Sequence, residues 1–247
     1  MHRVLIPIDS QDPQSWQYAL AYARKIGEQQ DKPTDIVLLV HTKRQIDGTS
    51  LTGHIGRQQA KALSGGKRLQ LQSGQKLSLK TLNTMGQMLN NAIIIAFFAD
   101  AKMLDAVDSL RGVVGVVAVP DLPGDADQWV ARWGAIVHGA EHQPARRLID
   151  DQIVENALSR LFSMVNPTTG IGHPRDKQMA DETLRVLRAK GHALDPEAIR
   201  SRAIQQGWRA DQASELAKLA QKIKSLKSNP RLSGIHNWEG RYQSWFE

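Results

Sequence analysis

Asp9 and Ser10 follow the apolar run Val4-Leu5-Ile6-Pro7-Ile8. A carboxylate and a hydroxyl at the end of a strand lie where open α/β sheets take their ligands, although an Asp before a Ser is equally an ordinary turn or capping residue. Further on, Gly53, Gly56 and Gly66 stand in a G-x2-G-x9-G spacing with Lys67 immediately after. Glycines let backbone N–H groups approach phosphate oxygens, and Lys67 or Arg57 would add compensating charge. The opposite reading is helix punctuation, in which Gly65-Gly66 ends the stripe of Ala60 and Leu63 through a left-handed cap. Both readings are open from the sequence. The first makes Asp9, Ser10, Gly53, Gly56, Gly66 and Lys67 a nucleotide-binding set, with ATP or another nucleotide as the ligand.

Charge is concentrated in the same stretch. Between Val40 and Leu82 the bases are Lys43, Arg44, Arg57, Lys61, Lys67, Arg68, Lys76 and Lys80, and the single acid is Asp47. That local excess equals the net charge of +7 carried by the whole chain, so everything outside the window sums to zero. A field of one sign draws in anionic partners and is not needed for folding. Lys43, Arg44, Arg57, Lys61, Lys67 and Arg68 are the candidate nucleic-acid contacts. A solvated crossover kept soluble by its charges would look the same. A second basic stretch, Lys218, Lys222, Lys224, Lys227 and Arg231, has only Lys218 and Lys222 at the spacing that shares a helix face.

Other strings are less specific. His54-Ile55-Gly56 resembles the H-I-G-H signature of nucleotidyl-transferring Rossmann enzymes, but the fourth residue is Arg57 and the segment does not directly follow the first strand. The loop 166–177 holds two Thr, two Gly, His173 and two bases, which could bind an anion or position a base, and also Pro167 and Pro174 as helix breakers and Asp176 as the following N-cap. His138, Glu141, His142 and His173 have no spacing that fixes a metal geometry. Trp129 and Trp133, four apart, read as core rather than as a base-stacking platform. No G-x-S-x-G, Walker A, G-x-G-x-x-G or H-E-x-x-H string is present, and with no Cys there is no thiol catalysis, disulfide framework or cysteine metal site.

The elements that must position these residues alternate between strand and helix. Apolar runs at 3–8, 35–40, 92–98 and 113–119 predict buried parallel strands, 76–82 an edge strand with one wet face, and 135–137 one more short strand. Helices are expected from Asp12-Pro13 to about Gly27, over 102–110 and over 124–133. Beyond about residue 142 no β-rich run appears. Helical stripes follow over 148–165, 176–189, 195–206 and 210–226, and the polar stretch from 228 is a docked arm or a partly disordered tail. The expected architecture is a mostly parallel, Rossmann-like α/β sheet with flanking helices (1–142), a helical domain (143–227) and a C-terminal arm (228–247).

The opening Val4-Leu5-Ile6-Pro7-Ile8-Asp9-Ser10, with Tyr18-Ala19-Leu20-Ala21-Tyr22-Ala23-Arg24-Lys25-Ile26, resembles the start of universal stress protein domains over about 40 residues. That family binds ATP on a parallel α/β sheet, with an acid at the first strand end and glycines spaced as above before a Ser or Thr. The resemblance implies an adenine-side role for Asp9 and a phosphate role for Gly53, Gly56 and Gly66. Lys67 stands where the family has its hydroxyl, and the glycines follow the second strand-like run instead of the fourth. The function expected from all of this is nucleotide or nucleic-acid binding in a regulatory, stress- or defence-type protein. An enzyme acting on a phosphate-containing substrate at the sheet edge, with Asp9 as acid/base or metal ligand, and an interaction scaffold remain the alternatives. Catalysis is not expected, and oligomerisation is left open. The N-terminal acid Asp9 falls where a signal peptide needs apolar residues, and the apolar run 92–99 is far below the ~20 residues of a membrane span, so a cytoplasmic protein without membrane partners is expected.

Overall fold

The structure, a computed structural model, describes residues 1–86 and 88–246. It divides into two compact units, Met1–Arg146 and Arg147–Glu247. Unit 1 is a sheet of seven strands: β1 (His2–Leu5), β2 (Asp35–Val40), β3 (Leu69–Gln70), β4 (Lys76–Thr81), β5 (Met88–Ala99), β6 (Arg111–Pro120) and β7 (Ile136–Val137). Their order is β3-β4-β2-β5-β6-β1-β7. Every pairing is parallel except β3 with β4, so the expected mostly parallel α/β sheet is what forms. The two-residue β3 pairs outside the start of β4, so β4 is an edge only over 78–81.

Alternate residues of the central strands feed two apolar layers, as the period of two requires. Val4, Ile36, Leu38, Val40, Ile93, Ile95, Phe97, Val117 and Val119 face α1 (Pro13–Glu28), α2 (Arg44–Gly48), α3 (Ser50–Ile55) and α4 (Arg57–Ser64). Leu5, Val37, Leu39, Ile94, Ala96, Val116 and Ala118 face α5 (Ala101–Asp108) and α6 (Asp127–Trp133). Burial on both faces is why these strands are continuously apolar. The α1 helix lies close to the sheet at Gly115, where an added Cβ would stand 2.8 Å from Ile26 Cγ2. The β4-to-β5 connection contains no helix among its described residues. Leu82 and Met85 pack on the second layer in its place.

At the far end from the carboxyl edge, α5 delivers Asp108 into the interior with no exposed side-chain area. Its carboxylate accepts from Trp133 Nε1 (2.8 Å), Trp129 Nε1 and Arg132 NH1 (both 3.3 Å) and Arg3 Nε and NH2 (both 3.4 Å). Arg132 also donates to Asp105 at 3.0 Å, and the Arg3 guanidinium lies 3.6 Å over the Trp133 ring. Burial pushes the Asp108 carboxyl above its ordinary value; the charge of Arg3, the Trp133 hydrogen bond, the charge of Arg132 and the Trp129 hydrogen bond pull it back, in that order. Burial also lowers Arg3, which Asp108 opposes.

Unit 2 contains α7 (Gln152–Met164), a 3-10 turn (Gly170–Gly172), α8 (Pro174–Ala189), α9 (Pro196–Gln205), α10 (Ala210–Lys224) and α11 (Trp238–Gln243). Asp195 caps α9 through Glu197 N (2.9 Å), ahead of Pro196. For α8 the cap is His173, whose Nδ1 accepts from Arg175 N at 3.3 Å, while Asp176 falls inside the first turn. Pro174 sets the start, since its fixed φ suits the first helical position. The 166–177 loop is packed, with Ile171 buried and Pro167 O accepting from Arg209 N. The terminal stretch is docked: Trp245 is buried and its carbonyl accepts from Asn156 Nδ2 at 2.8 Å. Glu155 and Arg202 join α7 to α9 at 2.6 Å.

Asp151 caps α7 and meets His192 Nδ1 at 2.6 Å, and His192 Nε2 lies 3.0 Å from Tyr242 Oη on α11. Partial burial raises the Asp151 carboxyl, but the His192 hydrogen bond, the Val154 N–H, the His192 charge and the Ile153 N–H together hold it below the ordinary value. A depressed carboxyl stabilises the fold above its unfolded pKa, and that contribution disappears as pH falls through the folded value. Acid titration of Asp151→Asn, followed by helical ellipticity, should therefore show a smaller loss of unit 2 stability below about pH 4 than the parent does. In unit 1, Asp108→Asn removes the carboxylate that faces Arg3 and Arg132, leaving Arg132 with Asp105 alone, and should cost about 3–5 kcal/mol in urea denaturation followed by Trp fluorescence. Joint replacement by Arg3→Met, Asp105→Leu, Asp108→Leu and Arg132→Met should cost far less, because both guanidinium groups and both carboxylates of the cluster are then removed together.

Candidate nucleic-acid interface and the carboxyl edge of the sheet

The chain leaves β1 toward the layer of α1 and leaves β6 toward the layer of α6; it likewise leaves β2 toward α2 and β5 toward α5. Neighbouring strands whose connections diverge open a crevice between their carboxyl ends. Such divergence occurs at β1/β6 and at β2/β5.

At the first, Asp9 is exposed and its Oδ1 accepts from Gln11 N at 2.8 Å, closing an Asx turn ahead of the Asp12 cap of α1. Ser10 is buried, and its carbonyl accepts from Ser50 Oγ at 2.9 Å and lies 3.0 Å from His54 Nε2. A carbonyl can only accept, which assigns the His54 proton to Nε2. The first strand end and the start of the glycine segment thus meet through Ser10, Ser50 and His54. Beside β1, on the α6 side, a cavity of about 390 Å³ is lined by Leu5, Pro7, Val130, Val137 and Arg146.

At the second crevice, Phe98 has φ +59°, a left-handed conformation that a bulky residue rarely adopts, at an irregularity in the β5–β6 register. Its carbonyl lies 3.1 Å from His41 Nε2, which is also 3.6 Å from Asp100 Oδ1. Asp100 Oδ1 caps α5 through Met103 N at 2.7 Å. The N–H groups of His41 and Thr42 both point at Gln45 Oε1 (2.8 and 3.1 Å), so this turn is filled by the chain's own carboxamide. His41, Phe98 and Asp100 were not legible as a group. His41 directly follows an apolar run and Asp100 precedes a helical stripe, but nothing in a sequence marks a left-handed Phe.

Gly56 and Gly66 stand at helix ends. Gly56 N donates to Thr52 O as the cap of α3. At the end of α4, Gly66 N donates to Leu63 O and Lys67 N to Ala62 O, both at 2.9 Å, with Gly66 at φ +83°. This pair of bonds is a Schellman cap. The N–H groups of Gly56, Gly66 and Lys67 are therefore engaged at helix ends, as the punctuation reading describes. Gly53 lies inside α3 with no heavy atom within 4 Å of a would-be Cβ.

Lys43, Arg44, Arg57, Lys61, Lys67 and Arg68 are all exposed. Lys43 Nζ reaches Ser64 O at 3.4 Å, and Ser64 Oγ donates to Asp47 at 3.1 Å, which ties the start of α2 to the end of α4. Cations at a helix C-terminus are stabilising, and this accounts for Lys43, Lys61 and Lys67 on fold grounds. Arg57 is the first residue of α4, where a cation opposes the helix dipole, so helix stability does not explain it. Arg68 lies 3.8 Å from Asp35, with both side chains largely exposed.

Among the described residues no three His, Asp or Glu side chains converge as a metal site. His138 instead meets the Tyr18 ring at 4.0 Å and Tyr22 Oη at 3.4 Å. No described helix is long and apolar enough to cross a membrane.

The fold defines an α/β unit with helices on both faces of a mostly parallel sheet, followed in the chain by a helical unit. A family described as a domain of unknown function (DUF1889) matches residues 150–246, within the helical unit. No curated protein and no solved structure matches the chain. The glycine assignment is open to a sign test. Gly66→Ala should destabilise unit 1 by about 1 kcal/mol, since its left-handed backbone disfavours a Cβ. Gly53→Ala, inside a helix with open space, should be neutral or stabilising by up to about 1 kcal/mol, both read by urea denaturation.

Proposed function

We propose that unit 1 binds nucleic acid through the exposed basic surface of α2–α4. The observation that carries this reading is a set of six exposed bases, Arg44 in α2, Arg57 and Lys61 in α4, and Lys43, Lys67 and Arg68 flanking these helices, in a segment whose only acid is Asp47. Arg57 adds weight, because its place at a helix start is unfavourable until an anion compensates it. Contacts of this kind go to phosphate oxygens and give affinity without sequence readout.

The proposal makes a salt-dependence prediction. Anisotropy of a labelled oligonucleotide should give a log–log slope of affinity against salt that becomes shallower by up to about 3 when Lys43, Arg44, Lys67 and Arg68 are changed to Gln. The reduction should fall short of the full four charges, because Arg68 already faces Asp35. An unchanged slope overturns the proposal.

A second reading places a nucleotide at the β1/β6 crevice, as the universal stress protein resemblance implies. It is favoured by Asp9 at the strand end and by the cavity beside β1 that Arg146 lines. Phosphates would then meet Arg146, not the glycine segment. A rise in melting temperature with ATP that is lost in Arg146→Ala supports this reading, whereas no rise with any nucleotide removes it.

A further inference from the structure

We infer that the helical unit binds a small phosphomonoester with a hydroxylated body, such as a sugar phosphate, in a groove between α10 and the start of α8. The groove holds a cavity of about 430 Å³, within the size range of small-molecule sites. Lys177 of α8 and Gln212, Glu215, Lys218 and Lys222 of α10 line it. Lys218 and Lys222 share a face of their helix, and the fold brings Lys177 to the same groove from a different helix. Ile171 and Leu219, both buried, contribute the apolar part of the lining.

The ammonium groups set the ligand's head group. Glu215 Oε1 accepts from Lys218 Nζ at 2.7 Å, so that pair is compensated internally. Lys177 and Lys222 are exposed and stand in no ion pair among the described residues. Two ammonium charges at one groove match a phosphomonoester, which carries about −1.5 to −2 at neutral pH, better than they match a carboxylate or a phosphodiester. Lys222 sits in the last turn of α10, where a cation is stabilising, but Lys177 lies in the opening turn of α8, where a cation opposes the helix dipole. Helix stability therefore leaves Lys177 unexplained, and a bound anion accounts for it. The polar lining sets the body: the second oxygen of Glu215 and the Gln212 carboxamide can accept from hydroxyl groups, whereas a long apolar chain would meet only Ile171 and Leu219.

The groove lies within the helical unit, so this inference and the nucleic-acid reading of unit 1 fail separately. Calorimetric titration of the full chain with ribose 5-phosphate tests it, with ribose and inorganic phosphate as controls. Ribose 5-phosphate should bind at least about tenfold more tightly than ribose, which lacks the charge, and at least about threefold more tightly than inorganic phosphate, which lacks the hydroxylated body. Lys177→Gln and Lys222→Gln should each weaken ribose 5-phosphate by about tenfold, with the circular dichroism spectrum as in the parent. Lys227→Gln, beyond the end of α10, should leave its binding unchanged. The inference is overturned if ribose 5-phosphate gives no binding heat, if either control binds as tightly, if either groove variant binds it as the parent does, or if Lys227→Gln weakens it as much as they do.

Discussion

A single carboxylate with no exposed area, Asp108, holds the amino end of unit 1 together. It reaches residues from β1, α5 and α6, so three elements of different connectivity converge on one charge. Removing that charge from water is expensive, and the two indoles and two guanidinium groups are the compensation. The geometry is specific in a way that apolar contact is not, because each N–H must point at one of two oxygens. With Arg3 pinned at the start of β1, the register of that strand against β6 is fixed, and the carboxyl end carrying Asp9 and Ser10 follows from it.

The opposite edge shows what this rigidity supports. Four connections divide between two layers, and the divergence occurs at two places in one short stretch of edge. At one of them the chain accepts a left-handed Phe98, which directs its carbonyl to the imidazole of His41. Such a conformation persists only where surrounding packing over-determines it, and here Phe97 and Phe98 pack edge to face at 4.9 Å between buried layers.

Legibility in the sequence followed locality. The run Asp35–Val40 was legible in full because the five apolar residues Ile36 to Val40 have no better use than a doubly buried strand. The Asp12 and Asp195 caps were readable because the cap, the Pro and the stripe are adjacent in the chain. The Asp108 site was not, since Arg3 lies 105 residues away and a lone Asp at a helix end looks like any polar residue. The crossover from β4 to β5 escaped for a different reason: its described residues form no helix, so no period marks it. The glycines were readable as glycines, but cap and cradle share one signal, and only the partners of the N–H groups separate them. The basic residues were legible as a surplus, yet their grouping around the end of α4 depends on the Schellman turn.

Both outermost strands, β3 and β7, are only two residues long. A full-length outer strand would present a row of unpaired N–H and C=O groups to any passing extended chain. Here β7 leaves a two-residue margin on one side, and on the other β3 pairs with Lys76 and Leu77 alone, so the outer side of β4 from Ser78 to Thr81 has no strand beside it. The two margins are thus unlike: one offers an incoming chain almost no ladder, and the other offers the four residues at the end of β4.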